Sequence, residues 1–303
     1  MKGLRFARSV RHLSAWLVLP AFCLPTAARG QRAPSADSLT IESNLSYPDL
    51  RKGREITLSG VGAGLLVTGL LLPADHPQVP PQGLDPSEIA WSVDRDIVGN
   101  HSRGADVTGD WTRDTALLFP LGLALAMGQE GERWHGFGRS SLVWAETILM
   151  SQGLTWLGKA IVGRARPFSY LPANQRPNAP SYDASTERTF ASMPSGHSSS
   201  AWAGAALGMT THLLQRPQAS WVERAGVGFL GGVLAGATSA LRVEAGQHFP
   251  TDVVVGAVLG ISTGVAVPLF HRGEQQIRTY AVWQMVGGGL AGTFLGVVLA
   301  RRY

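Results

Sequence analysis

The sequence predicts an all-α protein, a helical bundle of six or seven membrane-embedded helices with its functional site at one end. Two observations carry this expectation. Beyond Glu55, seven apolar stretches rich in Gly and Ala alternate with polar loops, at 57–73, 115–128, 141–161, 198–214, 225–241, 253–270 and 281–300. The last of these has no charged side chain, and its Gly287, Gly288, Gly289, Gly292 and Gly296 offer the small faces by which membrane helices approach one another.

Several stretches fall short of the roughly 20 apolar residues that a span requires, and the mean hydropathy is only +0.07. A soluble bundle is therefore the competing reading. A chain of 303 residues buries a substantial core, and no internal repeat divides it. The economical division is a signal peptide at 1–30, a flexible lead-in at 31–54 and one helical domain at 55–303.

The leader has a cationic stretch to Arg11, an apolar run at 13–24 and small residues at Ala27, Ala28 and Gly30, the layout of a secretory signal. An uncleaved anchor helix is the alternative, against which the short apolar run argues. Cys23 is the only cysteine and lies in this leader, so the mature chain is expected to have no disulfide and no thiolate chemistry. A lipoprotein signal is a poor fit, because bulky Phe22 precedes Cys23 where a small residue is expected.

Lys2, Arg5, Arg8, Arg11 and Arg29 precede Gln31, whereas all 21 Asp and Glu follow it. The net charge of +5 thus belongs to the leader, and the remaining chain is balanced. A nucleic-acid partner would need a basic stripe on the folded domain, so that class is set aside. Loops containing Arg133 and Arg139, Arg216 and Arg224, and Arg272 and Arg278 would share one side of an alternating bundle. That side reads as cytoplasmic, and the opposite side, with the motifs below, as periplasmic. A cleaved signal would start the mature chain in the periplasm, whereas the alternation wants Lys52 and Arg54 inside.

Three blocks carry chemistry. Lys159 and Arg166 lie seven residues apart, so on a continuing helix both cations project from one face about 10 Å apart, before Pro167 stops the helix. Compensation of the helix dipole is the bland alternative. Pro194-Ser195-Gly196-His197 precedes three serines and an apolar run. It gathers free backbone N–H groups at a helix start, where phosphate oxygens bind; alone, it would be an ordinary cap. Arg242 comes six residues before His248, and Asp252 four after it, with Pro250 suited to the first turn of a helix. Asp252 can then reach back to His248 and fix its tautomer, although a solvated His–Asp pair has the same spacing.

Together, Lys159-x6-Arg166-Pro167, Pro194-Ser195-Gly196-His197 and Arg242-x5-His248-x3-Asp252 resemble the type 2 phosphatidic acid phosphatase superfamily, which also includes bacterial class A acid phosphatases and vanadium haloperoxidases. The resemblance covers roughly 141–270. In one departure, Leu241 stands before Arg242 where the family usually has Ser, and Ser239 lies farther back.

The resemblance implies a phosphatase in which Lys159, Arg166 and Arg242 hold phosphate oxygens with Ser195 and the N–H of Gly196. It implies that His248 forms a phosphohistidine, that Asp252 orients it, and that His197 protonates the leaving oxygen and later activates water. No catalytic metal or other cofactor is implied. The expected substrate is a phosphorylated lipid, and the expected location the bacterial envelope, in the inner membrane with the site facing the periplasm. A soluble acid phosphatase would share the motifs but leave the membrane in a carbonate wash. A vanadium haloperoxidase would need vanadate as cofactor, and a non-enzymatic lipid-phosphate binder would release no phosphate.

His76, His101, His135, His212 and His271 have no motif partners and read as surface or interfacial groups, none proposed as a ligand. Trp91, Trp111, Trp134 and Trp221 fit an aromatic belt or a packed core. Glu146, inside an apolar stretch, is expected to face the bundle interior and to pair with a cation there.

Overall fold

A computed structural model describes residues 50–72, 78–128 and 133–272. The signal peptide, most of the lead-in, His76 and the glycine-rich stretch 281–300 lie outside the described residues.

Among the described residues there are seven α-helices and no strand: α1 (Lys52–Leu71), α2 (Ser92–Arg95), α3 (Arg103–Met127), α4 (Arg133–Val162), α5 (Gly196–Gln215), α6 (Trp221–Glu244) and α7 (Pro250–Phe270). The expected all-α bundle is found, with α2 a single turn and the other six helices long. Each long helix begins before its apolar stretch, α3 and α4 by two turns or more. Helix α3 starts at Arg103 because Ser102 caps it, its Oγ accepting from Ala105 N at 3.2 Å. Its added turns are mostly polar, and only their Ala105 and Gly109 are buried, so they form no apolar run.

Close main-chain approach sets the helix directions. Gly256, Gly260 and Gly264 form one stripe of α7 at a spacing of four. A Cβ on Gly256 would stand 2.5 Å from Ser195 O, one on Gly264 2.6 Å from Ala203 O, and one on Gly260 would collide with Ser199 O. Rising numbers meet rising numbers, so α5 and α7 run parallel and start at the same end. By the same criterion Gly204 lies on Ala116 and Gly208 on Phe119, making α3 parallel to α5, while Gly62 at Leu149 and Gly69 at Trp156 make α1 parallel to α4. Lys159 near Gly196, with Gln152 bonded to Ser200, makes α4 antiparallel to α5. Pairing of Ser239 with Ser198 and of Gly231 with Ala205 does the same for α6. The starts of α3, α5 and α7 and the ends of α1, α4 and α6 therefore gather at one end of the bundle.

Three helices, α1, α6 and α7, are long and apolar enough to cross a membrane. Their outward side chains include exposed Ile56, Leu71, Phe229, Leu230, Val254 and Val258. Trp91, Trp111, Trp134 and Trp221 are also exposed, Trp134 at 75%, so these indoles do not pack a core. This outer surface suits membrane association.

Candidate active site

At the end where these termini meet, Lys159 occupies the last turn of α4 and is 7% exposed. The helix does not continue to Arg166, as the spacing had suggested. Gly163, at φ +56°, turns the chain out of the helix, its N–H donating to Lys159 O at 3.0 Å. Arg166 follows in extended backbone ahead of Pro167. The two cations therefore converge through a turn: Lys159 Nζ donates to Ala191 O, while Arg166 donates from Nε to Arg188 O at 3.0 Å and from Nη1 to Gln247 Oε1 at 2.8 Å.

The second block opens α5. Ser195 is fully buried as N-cap, its Oγ accepting from Ser198 N at 3.4 Å and its own N–H donating to Asp252 O at 3.0 Å. The N–H groups of Gly196 and His197 fall in the first turn, where no intrahelical acceptor exists. His197 Nε2 lies 2.6 Å from Asp110 Oδ1 and 2.7 Å from Arg113 Nη1. One nitrogen can donate to the carboxylate or accept from the guanidinium, so its surroundings accommodate it with or without a proton.

The third block follows α6. Gly246 has φ +66°, and a Cβ there would collide with Asn100 O, so only glycine lets this loop reach the segment before α3. Arg242 is 4% exposed. It donates from Nη1 to Asp106 Oδ1 at 2.6 Å, and its buried Nε has no hydrogen-bond partner among the described residues. His248 is 1% exposed.

The expected contact between Asp252 and His248 is not direct. Nδ1–H of His248 donates to Ser192 O at 2.8 Å, and Asp252 Oδ2 stands 3.8 Å away. Asp252 is at the third position of α7, where it accepts from Phe249 N at 2.8 Å and from Ser192 Oγ at 2.5 Å, so capping and the Ser192 hydroxyl claim that oxygen. With Nδ1 committed as donor, the lone pair of His248 is on Nε2.

Burial, then Arg166, Lys159, Arg242 and His197, hold the His248 pKa well below the usual histidine range. Geometry brings the same groups together: Lys159 bonds Ala191 O and His248 the next carbonyl, Ser192 O, while Arg166 bonds the adjoining Gln247 and His248 N donates to Arg242 O at 3.3 Å. Burial and then Arg242, Arg113, Arg166 and Lys159 push His197 down to about 2. A phosphate dianion among these cations would oppose that charge and draw both values upward.

Residues 141–276 match the PAP2 superfamily.

The PAP2 match coincides with the family resemblance carried by the three blocks, and a match of this kind implies phosphatase activity on phosphoesters. No curated protein and no solved structure matches the chain. Several residues that touch the PAP2 blocks lie ahead of the matched segment. Asp106, Asp110 and Arg113 recur at helical spacing on α3, a signal present in the sequence but placed in a loop when only apolar runs were read as helix. Asp94 is fully buried: its Oδ2 accepts from Arg164 at 2.7 Å and from Thr251 Oγ1 at 2.7 Å. Arg164 also donates to Asp252 Oδ1 at 2.7 Å and lies 4.1 Å over the Phe249 ring. No spacing rule pointed to Arg164 or Ser192. Ser239 bonds Ser198 Oγ at 2.9 Å, so it joins α6 to α5 and does not stand in for the serine that Leu241 replaces.

Two histidines read as surface or interfacial groups are buried. His212 Nδ1 lies 3.2 Å from Met127 Sδ, and His271 lies between Glu55 and Glu146. Both sit where helix ends meet other helices, a tertiary placement that sequence position does not reveal.

Proposed function

We propose that this chain hydrolyses a phosphomonoester or pyrophosphate bond of a lipid phosphate through a phosphohistidine on His248. The observation that carries the reading is a buried imidazole, its Nδ1 committed and its Nε2 lone pair available, among Lys159, Arg166 and Arg242, the last with a buried Nε unbonded among the described residues. Phosphoryl transfer needs fixed positive charge around the equatorial oxygens, which the three cationic side chains would supply without a catalytic metal, and an in-line nucleophile, which His248 Nε2 would supply.

In the proposed reaction the Nε2 lone pair attacks phosphorus as the bond to the leaving oxygen breaks, and His197 gives that oxygen its proton. His197 then takes a proton from water, whose oxygen attacks phosphorus. The N–P bond breaks, inorganic phosphate leaves, and His248 is restored. Ser195 and the first N–H groups of α5 add donors to the phosphate oxygens. Asp252 and Ser192 position the imidazole.

A lipid substrate is favoured because the apolar outer faces of α1, α6 and α7 flank this end of the bundle. The proposed location is a bacterial inner membrane with the site facing the periplasm. The test is phosphate release from a panel of lipid phosphates by wild type and His248→Ala in detergent, with and without chelator, well below the melting temperature. Phosphate release by wild type alone supports the proposal, whereas equal turnover by His248→Ala ends it. Lipid-phosphate binding without release at any pH would leave a binding protein.

A further inference from the structure

The far end of the bundle holds a second cluster of ionisable side chains. Glu55 from the first turn of α1, Glu146 from α4 and His271 at the C-cap of α7 bring three ligand atoms within 4.8 Å of one another. His271 is 1% and Glu146 2% exposed. The 21 residues of α7 separate this cluster from His248, a distance of about 30 Å along the axis. It therefore takes no part in the proposed phosphoryl transfer.

Its hydrogen bonding is one donor short. His271 Nδ1–H donates to Val267 O at 2.8 Å, which fixes the tautomer and turns Nε2 toward two carboxylates. Nε2 lies 2.7 Å from Glu55 Oε2 and 2.9 Å from Glu146 Oε2. With the ring's N–H on Nδ1, Nε2 of the neutral ring carries a lone pair that faces both carboxylates, and even a second N–H placed there would serve only one of them, Glu55. Glu146 Oε2, buried and within ion-pair distance of that nitrogen, has no hydrogen-bond partner among the described residues. Burial of a carboxylate oxygen without a donor is costly. The other oxygen of Glu55 is already occupied, accepting from Arg51 N at 2.8 Å and from Arg54 Nη2 at 2.8 Å. Oε2 is thereby left for the cluster.

We propose that Glu55 Oε2, Glu146 Oε2 and His271 Nε2 bind one divalent transition-metal ion of the zinc type, joining the start of α1, the middle of α4 and the end of α7. One imidazole nitrogen and two carboxylate oxygens form a donor set that zinc accepts at about 2.0–2.2 Å, with water as fourth ligand. Seating the ion requires the three atoms to spread by about half an ångström from their hydrogen-bonded separations. The ion accepts the Nε2 lone pair and both carboxylate oxygens at once, and so gives Glu146 Oε2 the partner it lacks. It closes a contact between helices that are distant in sequence, so it acts on stability and not on turnover.

The test uses the full chain purified in detergent. Metal content is measured by mass spectrometry after incubation with zinc and removal of excess, and the melting temperature is read with chelator and after zinc is restored. Wild type is expected to retain about one zinc per chain, the stoichiometry of a single three-ligand site, and to melt lower with chelator and recover with zinc. Glu146→Gln, which keeps the side-chain shape, is expected to lose both the zinc and the response. A wild type that retains no zinc and melts identically in chelator and in zinc overturns the proposal. Equal zinc retention by wild type and Glu146→Gln does so too.

Discussion

Ser192 stands between Asp252 and His248: its hydroxyl donates to Asp252 Oδ2 at 2.5 Å, and its carbonyl accepts from His248 Nδ1 at 2.8 Å. The carboxylate thus acts on the imidazole through a neighbour and through the cap of α7. Asp252→Asn is expected to lower kcat by roughly 10- to 100-fold, the equivalent of one hydrogen bond to a charged group, about 1.5–3 kcal/mol. KM should change little. Ser192→Ala should show a smaller fall of the same kind. Steady-state kinetics on one lipid phosphate checks both, and a pure KM effect would remove the positioning role.

The two histidines should separate in their variants. Loss of general acid in His197→Ala is expected to cost about 10²- to 10⁴-fold, and His248→Ala at least as much. A substrate with a good leaving group, such as an aryl phosphate, should recover most of the rate in His197→Ala and none in His248→Ala. Equal recovery in both would contradict the division of labour.

The pH dependence follows from the depressed pKa of His248. The free imidazole remains neutral as pH falls through the ordinary histidine value of about 6.5, so the acid limb of kcat/KM should lie below it. Stability has a related sign. Below about 6.5 the unfolded chain takes up a proton that the folded one refuses, so this contribution to stability is lost as pH falls. Chemical denaturation between pH 7 and 5 should therefore show a decline that is smaller in His248→Gln.

Arg164 bridges two buried carboxylates, Asp94 and Asp252, at 2.7 Å each. Its removal leaves both without their cation, a situation that typically costs about 3–5 kcal/mol. The unfolding midpoint of Arg164→Ala in detergent should fall accordingly. A midpoint within error of wild type would show that solvent or Thr251 compensates.

Inorganic phosphate should raise the melting temperature, because an anion among Lys159, Arg166 and Arg242 relieves their mutual repulsion. At a hundred times its Kd the gain is about 2.7 kcal/mol. The shift should shrink in Arg242→Met, and an equal shift there would place the anion elsewhere.

The three blocks were legible because phosphate chemistry constrains residue type and spacing together, and the apolar stretches were legible because helices hide apolar faces. The boundary after Lys159 was misread because Gly163 at φ +56° looks, in sequence, like one more tolerated glycine. The first half of α3 was missed for the opposite reason. Asp106, Asp110 and Arg113 face Arg242 and His197 through polar contacts, and a helix that packs in this way has no apolar stripe to betray it. His271 could not be linked to Glu55, since their meeting depends on how α7 lies against α1.

The counter-charges on α3 also set a lower limit on what can be cut away. A fragment reduced to 141–276 would retain every signature residue, yet Arg242 would lose Asp106, and His197 would lose Asp110 and Arg113. Such a truncation would keep the vocabulary of the reaction without its grammar, and a segment outside the family boundary becomes part of the smallest competent enzyme.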